Sequence, residues 1–268
     1  MIPFDRAMDE LRRSFDVPQG GLDRCEDILQ VQHLSLAKNP ALGRLPDSVR
    51  LAASARMRAS EPVMLRERVP LDAGRIAEVL RALSRTLLEE PGPLDEQARE
   101  WVELALPPAT ADDAPTVHEL AARLGLPVDG AVSLLREAMK PEMLRTSSAF
   151  TSLAHDAGAR RRCPLCAGLP AAITDKNEAC CRWCGLIFPW DPSACGACGK
   201  SQWREREIGA VVRNARLLQC SACGDVAKIF RASADPLVLS LHSVLAAPFE
   251  LAARVTAEGI PSTGFSVF

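Results

Sequence analysis

Between Leu71 and Leu88 the apolar residues Ile76, Val79, Leu80, Leu83 and Leu87 recur at spacings of three and four, with arginines and a glutamate between them. That period lays one apolar stripe along a helical face and predicts a helix over the segment. Three other stretches carry helical signals. "PDSVRLAASARMRASEP" opens with Asp47 as a candidate cap and closes before Pro62; "LDEQAREWVELALPP" has Asp95 as cap and stops at Pro107 and Pro108; Gln19 to Asn39 is ended by Pro40. Residues 107–115, "PPATADDAP", read as a loop or short linker. Beyond them, "TVHELAARLGLPVDGAVSLLREAMKP" reads as two helices joined by a turn at Gly125, Leu126 and Pro127.

After about residue 160 the period changes. "REIGAVVRNARLLQC" alternates into a β-branched run, and "DVAKIF" continues the same way, so both are expected to be strands. Near the end the pattern turns helical again. Asp235 stands where a cap would, Pro236 at the first helical position, and Leu237, Val238, Leu241, Val244 and Leu245 form a stripe up to Pro248. Phe249, Leu251, Ala252 and Val255 continue it to Gly259, a suitable stop. The stripe is expected to pack the strand-rich region against the helical domain; a groove for a partner is the alternative. The chain therefore divides into a helical domain at 1–158, modules at 159–190 and 191–232, and C-terminal helices with a tail at 233–268.

Composition adds little to this picture except through cysteine. With 268 residues, 47% hydrophobic content and a formal net charge of −2, the chain can bury a sizeable core and shows no global bias toward nucleic acid or acidic surfaces. No run of about 18 apolar residues occurs, and the first residues, "MIPFDRAMDELRRSFDVPQGG", have no apolar stretch of signal-peptide length. A cytoplasmic protein with no membrane contact is expected. In a reducing compartment, close thiol pairs are metal ligands or redox centres rather than structural disulfides.

Nine of the ten cysteines lie between Cys163 and Cys223. They contain four pairs with a two-residue spacer: Cys163 and Cys166, Cys181 and Cys184, Cys195 and Cys198, Cys220 and Cys223. This spacer lets both sulfurs face one point while backbone amides of the same turn donate to them. Two pairs make a tetrahedral four-sulfur site, so four pairs make two mononuclear metal sites. Cys180 would give a three-residue spacer with Cys184 and is expected to face away. Gly185, Gly199 and Gly224 follow the second cysteine of three pairs, where a left-handed backbone completes the turn; Ala167 breaks the pattern, with Gly168 one place late.

Fourteen residues separate Cys166 from Cys181 and twenty-one separate Cys198 from Cys220, both suited to a short β-hairpin between two knuckles, against ten between Cys184 and Cys195. Consecutive pairing is expected, with interleaved pairing as the alternative. Four thiolates suit zinc or a single rubredoxin-type iron equally. Redox-active thioredoxin-like pairs are disfavoured, since no βαβ pattern surrounds them. From Ala159 onward thirteen Lys/Arg face nine Asp/Glu, an excess that eight thiolates around two divalent ions would cancel.

Other candidates carry less. The 116–139 hairpin could be a helix-turn-helix with Val128 to Met139 as recognition helix. Its only basic groups there, Arg136 and Lys140, are opposed by Asp129, Glu137 and Glu142, so a hairpin packed into the domain is preferred. A nucleic-acid-binding or transcription-related zinc-ribbon protein is the alternative function. His118 and His155 have no second ligand at helical spacing, and Cys25, near Leu22, Ile28 and Leu29, reads as a core residue. No catalytic or cofactor-cradling motif is evident, and an enzyme is not expected.

The motif order from Cys163 onward, "CPLCAGLP", "CCRWCG", "CGACG", "QCSACGDVAKIF" and "DPLVLSLHSVLAAPFELAARVTAEG", resembles the formate dehydrogenase accessory protein family, FdhE. Upstream, "LAKNPALGRLPDSVRLAASARMRA" is similar to that family's helical segment, whereas the ending "EGIPSTGFSVF" lacks the Tyr, Arg and Asn-Pro found there. The resemblance implies an all-helical N-terminal domain followed by two rubredoxin-like metal modules. It also implies iron or zinc on the eight paired cysteines, and a cytoplasmic maturation factor; homodimer formation is left open by the sequence itself. Its partner would be the catalytic subunit of a respiratory formate dehydrogenase, bound before export.

Overall fold

The computed structural model describes residues 3–14, 19–39, 45–63, 71–88, 115–206 and 215–245. The helix expected after Asp95, residues 107–114 of the linker expected at 107–115 and the second C-terminal helix lie outside the described residues, as does 207–214 of the strand-like run; Pro115, the last residue of that expected linker, instead opens a helix. The described helices are α1 (Phe4–Ser14), α2 (Gln19–Lys38), α3 (Asp47–Arg58), α4 (Ala73–Leu87), α5 (Pro115–Leu124), α6 (Val128–Ser147), α7 (Thr151–Asp156) and α8 (Pro236–Leu245). The strands are β1 (Pro170–Thr174), β2 (Glu178–Cys181), β3 (Ile187–Pro189), β4 (Trp203–Arg206), β5 (Ala215–Cys220) and β6 (Val226–Phe230). These form two compact units that are not consecutive in sequence: Asp23–Leu42 with Met64–Thr146, and Met1–Leu22 with Gly43–Val63 and Ser147–Phe268.

The first of these units is helical. In α4 the predicted stripe is buried at Ile76, Val79, Leu80 and Leu83 and half-buried at Leu87, and Asp72 caps the helix by accepting from the Arg75 amide at 3.2 Å. Cys25, Leu29 and Gln32 are the buried positions of α2 in this unit, which makes Cys25 a core residue; burial, with Glu137 nearby, pushes its thiol up to about 11. Between α5 and α6, Gly125 turns left-handed at φ 65°, and the Leu126 amide donates back to the Ala121 carbonyl.

Helix α6 continues through Pro141 to Ser147. Proline offers no N–H to the carbonyl four residues back, that of Glu137. The Gln32 side-chain amide supplies the missing donor at 3.0 Å, and reaches the Glu137 carboxylate at 2.9 Å. Glu137 also pairs with Lys140. Glu142 is buried at 3% exposure; burial would raise its pKa, but the hydrogen bond and charge of Arg145, with Arg75 beyond, hold it below the ordinary carboxylate value. The would-be recognition helix buries Ala131, Val132, Leu134, Leu135, Ala138 and Met139, the packing of a hairpin inside a helical unit.

The other unit is built on a six-stranded sheet of order β3-β2-β1-β6-β5-β4, antiparallel except for the parallel pair β1 and β6. Each half repeats one order, knuckle, strand, strand, knuckle, strand, and the halves join through that parallel pair. The two expected modules thus share one sheet. Ala172, Cys180, Ile187, Phe230 and Leu239 form the core beneath α8, whose Leu237, Val238 and Leu241 are also buried. Helix α8 contacts β1, β2 and α1; its residue in that core is Leu239, which the predicted stripe left out. Asp235 caps α8 as expected, accepting from the Leu237 and Val238 amides at 3.0 and 3.4 Å.

One expected cap fails. Asp47 is the first residue of α3, preceded by Pro46 in extended conformation, and no side chain caps the helix; Asp47 pairs instead with Arg50 at 3.4 Å. The other end closes before Pro62, through Ser60 at φ 61° and a bond from the Glu61 amide to the Arg56 carbonyl. Among the described residues no helix is long and apolar enough to cross a membrane.

Candidate metal centres

Four knuckles with one hydrogen-bond pattern present the cysteines. In each, the amide of the first cysteine donates to the carbonyl five residues on: Cys163 to Gly168, Cys181 to Leu186, Cys195 to Lys200, Cys220 to Asp225. The amide four residues on returns to the first cysteine's carbonyl, from Ala167, Gly185, Gly199 and Gly224. Those four residues all have positive φ, at 57°, 66°, 76° and 74°. Ala167 therefore keeps the pattern it was expected to break: the left-handed position is Ala167 itself, not Gly168, because the return bond demands that geometry whatever the side chain.

Strand β2 runs directly into the second knuckle at Cys181 and β5 into the fourth at Cys220, so the hairpins carry one knuckle of each centre to the other. The pairing is consecutive. Cys163, Cys166, Cys181 and Cys184 form one group, and Cys195, Cys198, Cys220 and Cys223 the other, with the sulfurs of each within 4.8 Å of one another. Cross-knuckle contacts repeat between the groups: Cys163 to Cys184 at 3.6 Å and Cys166 to Cys181 at 3.5 Å, then Cys195 to Cys223 at 3.7 Å and Cys198 to Cys220 at 3.6 Å.

These separations decide the chemistry on offer. A disulfide needs about 2.05 Å between sulfurs. A tetrahedral ion with sulfur bonds of about 2.3 Å sets its ligands about 3.8 Å apart. The measured distances fit the tetrahedron, so each group could hold one metal ion, with four soft donors suited to zinc or iron. All ten cysteines are free thiols.

Electrostatics agree. Burial pushes the Cys163 and Cys184 thiols well up, while hydrogen bonds from Cys163, Cys181 and Cys184 pull Cys166 down. Four thiols this close share their protons unevenly; a divalent cation replaces those protons and stabilises all four thiolates together. The amide of Trp183 adds a donor to Cys181 at 3.4 Å. In the second group the Lys200 backbone brings Cys198 down to about 7.

The centres differ in exposure. All four sulfur residues of the first are buried, whereas Cys198 and Cys223 of the second are exposed. This asymmetry was not readable from four equal spacers. Cys180 lies on the opposite side of β2 from Cys181, as strand alternation requires, and joins the core under α8 with its sulfur 3.7 Å from the Pro236 carbonyl. Among the described residues only cysteines form candidate metal groups, and His118 and His155 are exposed.

No family model matches the chain, and no curated protein does. A solved structure does: the FdhE protein from Pseudomonas aeruginosa, at 19% identity and a TM-score of 0.56, over 96% of this chain and 90% of that one. The chain has an FdhE-like fold. At this identity the likeness speaks for architecture alone, yet it extends over both the helical and the cysteine-bearing parts of the chain. The FdhE-like arrangement thus expected from the motif order is present, with its helices, small sheet and two four-cysteine clusters.

Proposed function

We propose that the protein is a cytoplasmic accessory factor, not an enzyme, that binds the catalytic subunit of a respiratory formate dehydrogenase and supports its activation before export. The observation that carries this reading is the FdhE-like fold over nearly the whole chain, combined with two closed four-cysteine clusters. Such clusters take up every coordination position of an ion and leave none for a hydrolytic water, so they suit structural or electron-transfer roles. The eight paired cysteines would be the ligands of two ions, iron or zinc. With iron bound, the centres supply one-electron chemistry.

What the chain's own residues contribute is separable from the ion. The knuckle amides steady the thiolates, the burial of Cys163, Cys166, Cys181 and Cys184 keeps water from the first centre, and exposed Cys198 and Cys223 bring the second to the surface.

The deciding experiment is co-purification. A tagged protein expressed beside a formate dehydrogenase large subunit is expected to retain that subunit, and dehydrogenase activity is expected to fall when the accessory protein is deleted. Absence of both effects overturns the reading. Anaerobically purified protein with rubredoxin-like absorption that bleaches on reduction would support the redox role; a colourless zinc protein that still activates the client would remove it. Fewer than two transition-metal atoms per chain would remove the metal centres.

A further inference from the structure

One exposed guanidinium meets three carbonyls. Arg162 donates from Nε to the Gly196 carbonyl at 2.7 Å, from Nη1 to Ala167 at 3.4 Å and from Nη2 to Ala197 at 3.5 Å. Ala167 closes the first knuckle of the first centre. Gly196 and Ala197 are the two residues inside the third knuckle, which belongs to the second centre. A single side chain therefore spans both.

The choice of carbonyls matters more than their number. Each is one end of a peptide unit whose N–H serves a ligand sulfur. The Ala167 carbonyl shares its unit with the Gly168 amide, which hydrogen-bonds Cys166. The Gly196 and Ala197 carbonyls share theirs with the amides of Ala197 and Cys198, both of which hydrogen-bond Cys195. A cation held at an amide oxygen polarises the unit and strengthens the donor at its other end. The arrangement is also held by backbone packing: a Cβ on Gly196 would lie 2.8 Å from the Arg161 carbonyl, so the third knuckle sits directly against the segment that carries Arg162.

We propose that Arg162 is a positioning residue shared by the two centres, which strengthens the amide donors to Cys166 and Cys195 and so raises the metal affinity of both sites together. The inference rests on the reading of the two clusters as metal centres. Its neighbours do other work: Arg160 donates to the Met57 carbonyl, and Arg161 pairs with Asp191 at 3.2 Å.

Cobalt(II) titration of the full chain under chelator competition tests it. Wild-type protein is expected to bind two cobalt ions, and Arg162→Gln to bind both about tenfold more weakly, the effect typical of removing an outer partner of a metal ligand. The thiolate-to-cobalt charge-transfer band is expected to move to lower energy, since sulfurs that lose donor strength hold their electrons less tightly; a purely mechanical clamp would leave it in place. Arg162→Lys, which keeps a cation near the carbonyls, is expected to fall between, and it carries the comparison if the glutamine variant does not fold. Unchanged affinities, a change at one site alone, or an unmoved band overturns the role of Arg162. Wild-type protein that binds fewer than two cobalt ions overturns the metal-centre reading instead.

Discussion

Ala167 and Gly185 occupy equivalent positions in the two knuckles of one sulfur cluster, at φ 57° and 66°. A left-handed backbone costs a residue with a Cβ about 1–2 kcal/mol that glycine avoids. Glycine in turn loses more chain entropy on folding, about 0.4–1 kcal/mol. Ala167→Gly is accordingly expected to stabilise the protein by about 0.5–1 kcal/mol in denaturant unfolding of the metal-loaded form. Gly199→Ala, with open space around the new methyl, should cost a similar amount, and Gly196→Ala more, because its methyl meets the Arg161 carbonyl. A destabilised Ala167→Gly variant would show that the alanine side chain has a packing role.

Gln32 takes the place of a backbone donor. Its amide satisfies the Glu137 carbonyl that Pro141 leaves without a helical partner. Gln32→Leu strands that group in a partly buried setting and is expected to lower stability by about 1–2 kcal/mol. Pairing Gln32→Leu with Pro141→Ala, which restores the N–H, should recover most of the loss. Equal losses with and without proline at 141 would argue against this account.

Thiol reactivity should follow exposure. In metal-free protein, alkylation is expected first at Cys198 and Cys223, the exposed pair, with Cys198 faster because its thiol titrates near 7. Cys25 and Cys180, both buried in apolar cores, should react only on unfolding. With metal bound, a chelator should empty the second centre before the first. Peptide mapping after a timed label reads the order, and early labelling of Cys163 or Cys184 would contradict it.

His242 predicts an acid-side loss of stability. It is wholly buried in α8, stacked on Phe230 at 5.0 Å, and burial lowers its pKa from 6.5 to about 3. The unfolded chain binds this proton at pH 6.5 and the folded chain does not until about 3, so the neutral group's contribution is whole above pH 6.5 and lost as pH falls toward 3. The slope is about 1.4 kcal/mol per pH unit inside that window. His242→Leu is expected to flatten the stability profile there relative to wild type, measured by denaturant midpoints at each pH with metal held saturating. Parallel profiles would sink the assignment.

Much of this was legible along the chain because local rules governed it. The three-and-four spacing around Ile76 and Leu83 can bury only one helical face, Asp235 followed by Pro236 can open a helix without help, and a two-residue spacer leaves paired thiols little choice but to face one point. Cys180 was separable from Cys181 because only Cys181 keeps the two-residue spacer to Cys184.

What depended on distant residues was not legible. Pro141 removes a donor from its helix, and Gln32, over a hundred positions earlier, supplies one in its place. The exposure of Cys198 and Cys223 against the burial of the first four ligands follows from where the shared sheet and α8 lie, which equal spacers do not encode. The chain could specify each knuckle, since that is settled within six residues of backbone. Only folding could decide which carbonyls Arg162 would find, because the two knuckles it joins meet through tertiary packing.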